Sequence, residues 1–178
     1  YKIYKGEPYD INLSSWRSNI GSNSNWNTIY KSHYNIHWGS HPWLTMDATV
    51  PIPAHVEGKI LFSCSTFAVR YPSGIDFNRL FDTYGKDSVL FITQNRQEYD
   101  SFVSKTGIQL PLYMPPTLHE MVACIAKSPL YIGNLSSPLT YAYALHKENI
   151  TLLCPGRCDN PFIYGLDAVL PVKTLEYN

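Results

Sequence analysis

From residue 59 onward, short apolar runs alternate with segments in which apolar residues recur every three or four positions. The short runs predict five buried strands, at 59–65, 88–93, 109–113, 130–132 and 149–154. The periodic segments predict four helices between them, at 76–84, 97–105, 117–127 and 138–146. Such an alternation, with short connections, is typical of a parallel sheet joined by right-handed crossovers, with helices on both faces. We therefore predict an α/β fold around a five-stranded parallel sheet, with at most one further short strand at 168–172.

The composition of the chain changes near residue 55. Residues 1–54 are rich in Tyr, Trp, Asn, Ser and His and show little periodicity, yet they contain all four tryptophans of the chain. So many large aromatic side chains are unusual for a disordered tail. We therefore predict an irregular, aromatic-rich amino-terminal segment, 1–54, that packs on a Rossmann-like α/β domain, 55–178.

Charge and hydropathy exclude some classes of partner. The formal net charge is zero, so the chain does not resemble proteins that bind a nucleic-acid backbone through a basic surface. It contains no run of 18 apolar residues, so we expect no membrane span. Cys64 and Cys124 lie in apolar runs, and Cys154 and Cys158 lack zinc-knuckle spacing. A disulfide between the last two is left open, and the cysteine usage favours at most a cytoplasmic protein.

The stretch 130–145, LYIGNLSSPLTYAYAL, predicts a short strand, a tight turn and a helix. Ser137 suits the N-cap of this helix and Pro138 its first position, where a missing N–H costs nothing. A strand–turn–helix unit directs backbone N–H groups and the positive end of the helix dipole at one point. We therefore expect Asn134, Ser136 and Ser137 to surround a site for a phosphate or another anion.

The longer stretch 117–145 resembles the carboxyl-terminal half of the ADP-heptose–lipopolysaccharide heptosyltransferases, the GT-B glycosyltransferases of family nine. The likeness lies in the pattern T-L-x-E-x-x-x-x-I-A-x-S-x-x-Y-I-G-N-x-S-S-P-x-x-x-A-x-A-L. It implies that Glu120 binds a ribose and that Asn134, Ser136 and Ser137 hold the donor's diphosphate. The chain departs from the family pattern at three positions, where Leu135, Ser137 and Thr140 replace an acidic residue, a glycine and a histidine. The family's amino-terminal domain, which supplies the acceptor site and the base, does not fit into 1–54.

Nearly the whole chain also resembles a looser group of short glycosyltransferase-like proteins of viral and bacterial origin. The shared segments are D-[IL]-x-L-x-x-[FW]-R at 10–17, P-W-L at 42–44 and the pair Arg70-Tyr71. This second likeness implies no established chemistry. Within its first segment, Asp10 could act as the general base for an acceptor hydroxyl, or it could cap a helix or pair with Arg17.

Two other candidates also have ordinary structural interpretations. Arg70 could bind a phosphate or carboxylate, or it could be a solvated loop residue or a partner for Asp76. Glu120 could complete a capping box with Thr117 rather than bind a ribose. The histidines at 33, 37 and 41 share a spacing of four, but Gly39 and Pro42 argue against a continuous helix, so we expect no metal site.

The resemblance implies a metal-independent transferase that moves a sugar from a nucleotide diphosphate donor to a hydroxyl of a glycan or another acceptor. The donor is a substrate, and no further cofactor is implied. The departures from the family pattern favour an alternative, a catalytically inactive glycosyltransferase-like module in a virion or surface assembly. A different nucleotide-using enzyme on the same fold is a third interpretation, because a fold does not determine a function.

Overall fold

The computed structural model describes residues 35, 42, 44–66, 71–72, 74–134 and 136–152, and the backbone of 172–175. The strands are β1 (Ile60–Ser63), β2 (Val89–Ile92), β3 (Leu112–Tyr113), β4 (Tyr131–Asn134), β5 (Asn149–Leu152) and β6 (Val172–Leu175). The helices are α1 (Phe77–Tyr84), α2 (Arg96–Thr106), α3 (Leu118–Lys127) and α4 (Ser137–Ala144), with a 3₁₀ turn at Lys86–Ser88. In the described part of the chain, each helix is too short or too polar to cross a membrane.

All six strands are parallel and lie in the order β3-β2-β1-β4-β5-β6. The predicted parallel α/β sheet with helices on both faces is therefore confirmed, and β6 extends it by one strand beside β5. The chain leaves β1 in one direction along the sheet and returns to the other side of β1 with β4. The β1/β4 boundary is thus a topological switch point, where ligands of open α/β sheets bind beyond the carboxyl ends of the strands.

Apolar strand residues pack against helices on both faces of the sheet. On one face, Phe62 of β1 and Phe91 of β2 pack with buried residues of α1 and α2. On the other face, Leu61 and Tyr131 pack with buried residues of α3 and α4. The alternation of side chains along each strand explains the division, because successive residues point to opposite faces.

The boundaries of α4 differ from the sequence prediction. Ser136, not Ser137, is the N-cap, so the helix begins at Ser137 and Pro138 occupies its second position. The helix ends at Ala144 rather than at 146, because His146 adopts a left-handed backbone with φ of 54°. Its N–H donates to Tyr143 O at 3.0 Å and the next N–H, of Lys147, donates to Ala142 O at 2.8 Å. These two bonds form a Schellman motif, which terminates the helix.

The described end of the amino-terminal segment contacts the α3/α4 side of the domain. Leu44 N–H donates to Ala144 O at 3.1 Å, Ile52 packs against the core there, and Lys127 Nζ donates to Val50 O. The four tryptophans, Trp16, Trp26, Trp38 and Trp43, lie outside the described residues. Packing of the whole segment 1–54 on the domain therefore stays a prediction.

Candidate functional site

A cleft of about 420 Å³ lies at the carboxyl ends of β1, β2 and β4, at the topological switch point. The first turns of three helices also line it, because α2, α3 and α4 each begin where a strand has just ended. The lining consists of Ser65, Thr93, Gln94, Asn95, Glu98, Leu118, Met121, Ser136, Ser137, Pro138 and Tyr141. Hydroxyl and amide groups dominate this set, and Glu98 is the single charged residue among the described residues that line the cleft.

Asn134, at the end of β4, joins the two strands on either side of the switch point. Its side chain is fully buried; Nδ2 donates to Ser65 O and Oδ1 accepts from Ser65 N–H, both at 2.8 Å. This pair of bonds satisfies both backbone polar groups of a buried residue just beyond β1. Asn134 therefore positions the loops that form the cleft, and its amide does not line the cleft wall. Direct contact between this side chain and a ligand stays a prediction from the sequence.

Below the cleft, buried hydroxyl groups bond to one another. The Tyr131 hydroxyl is hydrogen-bonded to the hydroxyls of Ser63 and Ser136. Burial raises the pKa of Tyr131, and the bonds to the two serines act in the opposite direction. A side chain at position 133 would force Tyr131 to shift, because a Cβ there would lie 2.6 Å from the Tyr131 hydroxyl oxygen and 2.9 Å from Cε1 of its ring. The predicted G-N-x-S turn is thus adapted to a tyrosine lying beneath it.

The amino terminus of α4 differs from those of the other three described α-helices. In α1, α2 and α3 the N-cap side chain accepts a hydrogen bond from the first turn. In α4 the Ser136 hydroxyl donates to Asn134 O at 3.0 Å instead, and the helix has no side-chain cap. Ser136 and Ser137 both line the cleft, and their contact with a phosphate stays a prediction from the sequence. The first turn of α4 therefore lies at the cleft without a capping hydrogen bond from its N-cap side chain.

Glu98 lies in the first turn of α2 and is half-buried in the wall of the cleft. Its Oε2 accepts a hydrogen bond of 2.8 Å from the hydroxyl of Thr93, which is 2% exposed. The negative charge of Glu98 acts on the Cys64 thiol, which lies just beyond β1. Burial raises the pKa of this thiol, and the charge of Glu98 raises it further. The sequence analysis missed Glu98, although its place at the start of the predicted helix 97–105, the helix that follows the second predicted strand, was a usable signal.

Glu120 lies outside the cleft, on the side of α3 that faces the edge strand β3. Its carboxylate accepts a hydrogen bond from the Tyr113 hydroxyl, and its backbone N–H donates to Thr117 Oγ1 at 3.1 Å. Thr117 is the N-cap of α3, as predicted, but the Glu120 side chain bonds to Tyr113 rather than closing a reciprocal capping box. Burial raises the pKa of Tyr113, and the bond to Glu120 raises it further. Among the described residues Glu120 does not line the cleft, so the ribose-binding role that the resemblance implied for it stays a prediction from the sequence.

The remaining sequence candidates fall on other parts of the chain. Asp10, Arg70, Leu135 and the pair of cysteines at 154 and 158 lie outside the described residues. Thr140, at the position of the family's histidine, donates through its hydroxyl to Ser136 O at 3.2 Å. That threonine thus supports the first turn of α4.

Comparisons of the chain with protein families, with curated proteins and with solved structures found no match. The likeness to heptosyltransferases over 117–145 therefore stays a prediction from the sequence. A function for this chain has to be argued from the cleft itself.

Proposed function

We propose that this chain binds a nucleotide diphosphate sugar and belongs, by function, among the glycosyltransferases. The observation that carries the proposal is the cleft at the switch point, on which the first turns of α2, α3 and α4 converge. The positive ends of three helix dipoles favour an anionic group at that place. A diphosphate fits this requirement.

The lining provides groups for the other parts of such a ligand. Ser137 supplies a hydroxyl donor beside the uncapped start of α4, where the diphosphate is proposed to lie, and Ser136, whose hydroxyl donates to Asn134 O, forms part of the wall there. Leu118 is 49% exposed and supplies an apolar surface for the base. The proposed ligand thus combines an anionic, a hydroxylated and an apolar part, and each finds a matching group in the cleft.

The proposed reaction is a direct transfer at the anomeric carbon of the donor sugar. An acceptor hydroxyl of a glycan or another molecule forms the new C–O bond and gives its proton to a general base. The bond from the anomeric carbon to the diphosphate oxygen breaks, and the nucleotide diphosphate leaves with that electron pair. Asp10 stays the proposed base and Arg70 a proposed phosphate ligand, and no metal is invoked.

A second candidate function is supported by the charges of the lining. Glu98 is the single charged residue there, and no lysine or arginine joins it among the described residues. A carboxylate without a nearby cation weakens phosphate binding. This favours an inactive glycosyltransferase-like module that binds a partner or a glycan in an assembly, and the two candidates differ in nucleotide affinity and turnover.

Calorimetric titration with UDP, GDP and ADP tests the proposal. We expect at least one of them to bind the wild-type chain at or below millimolar concentration, and Ser136→Asp to weaken that binding tenfold or more through charge repulsion. Ser104→Asp is the matched control, because it adds the same charge on an exposed position in the last turns of α2. If no nucleotide binds the wild type at millimolar concentration, the inactive module replaces the transferase proposal.

A measurement of turnover separates the two candidates further. An active transferase should release the nucleotide diphosphate slowly from UDP-, GDP- or ADP-sugars, with water as the acceptor. An inactive module should leave the nucleotide sugar intact over the same period.

A further inference from the structure

Glu98 has a carboxylate that its own helix does not use. Asn95 and Glu98 stand at the N-cap and third helical positions of α2, the two places of a capping box. In such a box the glutamate would accept a hydrogen bond from the N-cap N–H. Here the Thr93 hydroxyl accepts that bond from Asn95 N–H at 3.0 Å. Thr93 thereby leaves Glu98 free of the capping role.

The same threonine holds the carboxylate in place. Thr93 Oγ1 lies 2.8 Å from Glu98 Oε2, so one carboxylate oxygen is anchored by a buried hydroxyl. Glu98 Oε1 has no hydrogen-bond partner within the described ranges. Because a carboxylate accepts about four hydrogen bonds in all, Glu98 retains most of its capacity for a ligand in the cleft.

The surroundings of Glu98 indicate which kind of ligand group it accepts. A cation is disfavoured, because the first turns of three helices direct their positive ends at the cleft. No group of three or more metal-ligating side chains occurs in the part of the chain that the structure describes. Neutral O–H donors carry no such penalty, and two adjacent hydroxyls match the two oxygens of a carboxylate.

We infer that Glu98 binds a vicinal diol of the ligand, either the ribose 2′- and 3′-hydroxyls or adjacent hydroxyls of the donor sugar. The inference rests on the proposed function, since it assumes a nucleotide or nucleotide sugar in the cleft. It assigns to Glu98 the contact that the family likeness implied for Glu120. Thr93 is a positioning residue for this contact, acting through Glu98.

Two comparisons of ligand affinity test the inference and identify the source of the diol. The first comparison sets UDP, GDP and ADP against their 2′,3′-dideoxy forms. The second sets UDP-glucose against UDP. Each affinity is measured by calorimetry on the wild type and on Glu98→Gln, whose amide oxygen still accepts the Thr93 bond. If the ribose is the source, the variant should weaken the ribonucleotide by about tenfold or more and leave its dideoxy form unchanged or tighter. If the donor sugar is the source, the variant should weaken UDP-glucose alone.

Asp100→Asn is the matched control, because it removes the same charge from an exposed position on α2, where Asp100 pairs with Arg96. It should change none of the affinities appreciably. Equal ribo-to-dideoxy and sugar-to-nucleotide affinity ratios in the wild type and Glu98→Gln would overturn the inference while leaving the proposed function standing. Absence of binding by every nucleotide would overturn both.

Discussion

The two faces of the sheet are packed by different chemistry. On the α1/α2 face, Phe62 lies at the centre of a cluster with Phe77, Phe81, Phe91 and Phe102, at centroid distances between 5.0 and 5.9 Å. We call these five residues the phenylalanine cluster. Its rings meet largely edge to face, an arrangement that stabilises aromatic pairs beyond the area they bury.

The α3/α4 face also contains buried polar groups that are hydrogen-bonded to one another. The Tyr143 hydroxyl lies 3.0 Å from Thr151 Oγ1, which in turn donates to Asn149 Oδ1 at 3.1 Å. Tyr131 and Ser63 form a similar hydroxyl pair closer to the cleft. The comparison shows that apolar side chains pack both faces, and that the α3/α4 face also buries hydroxyl pairs, one of which, Tyr131 with Ser63, joins the two strands at the switch point.

The largest loss of stability is expected from a substitution in the phenylalanine cluster. Phe62 is fully buried, so Phe62→Ala should lower the free energy of unfolding by about 3–5 kcal/mol, through lost burial and the cavity left behind. Urea denaturation measures the change, with Phe62→Leu as a milder control. A loss below about 1 kcal/mol would show that this face does not dominate stability.

A smaller loss of stability is expected from a substitution at the switch point. Asn134→Ala should cost about 2–3 kcal/mol, because it leaves both backbone polar groups of the buried Ser65 without their side-chain partner. The same denaturation experiment measures it. Nucleotide affinity should fall as well if the two loops separate, whereas Phe62→Leu should leave affinity intact. An unchanged stability would contradict the structural role assigned to this amide.

The next largest loss of stability is expected from a substitution at Gly133, near the end of β4. Gly133→Ala should cost about 2 kcal/mol, because its new Cβ collides with the buried ring of Tyr131. A double-mutant cycle with Tyr131→Leu checks the cause. The alanine should cost clearly less when the ring is absent, and equal costs in both backgrounds would mean that the strain lies elsewhere.

The smallest effect is expected at the start of α3. Thr117→Ala should cost about 1 kcal/mol, because it removes the side-chain acceptor for Glu120 N–H. Thr117→Ser keeps that acceptor and should melt close to the wild type in a thermal scan. An alanine variant with the wild-type melting temperature would contradict the cap.

Local features of the fold could be read from the sequence because they depend on residues close together in the chain. The alternation of strand and helix, the end of α1 at Tyr84 and the cap at Thr117 all involve neighbours within about one helical turn. The start of α4 was placed one residue late, because Ser136 and Ser137 are both acceptable caps. Their difference lies in contacts with Tyr131 and Asn134, which precede the helix.

The strand order and the final partners of the polar residues were decided by the tertiary structure. Asn134 bonds to Ser65 across 69 residues of chain, and Glu120 bonds to Tyr113 only because β3 lies beside α3. Glu98 enters the cleft because Thr93 takes its capping role and because β2 lies near the switch point. Hydrophobic periodicity determines that an element forms and which side it buries. Which polar groups then meet depends on the long-range packing of those elements.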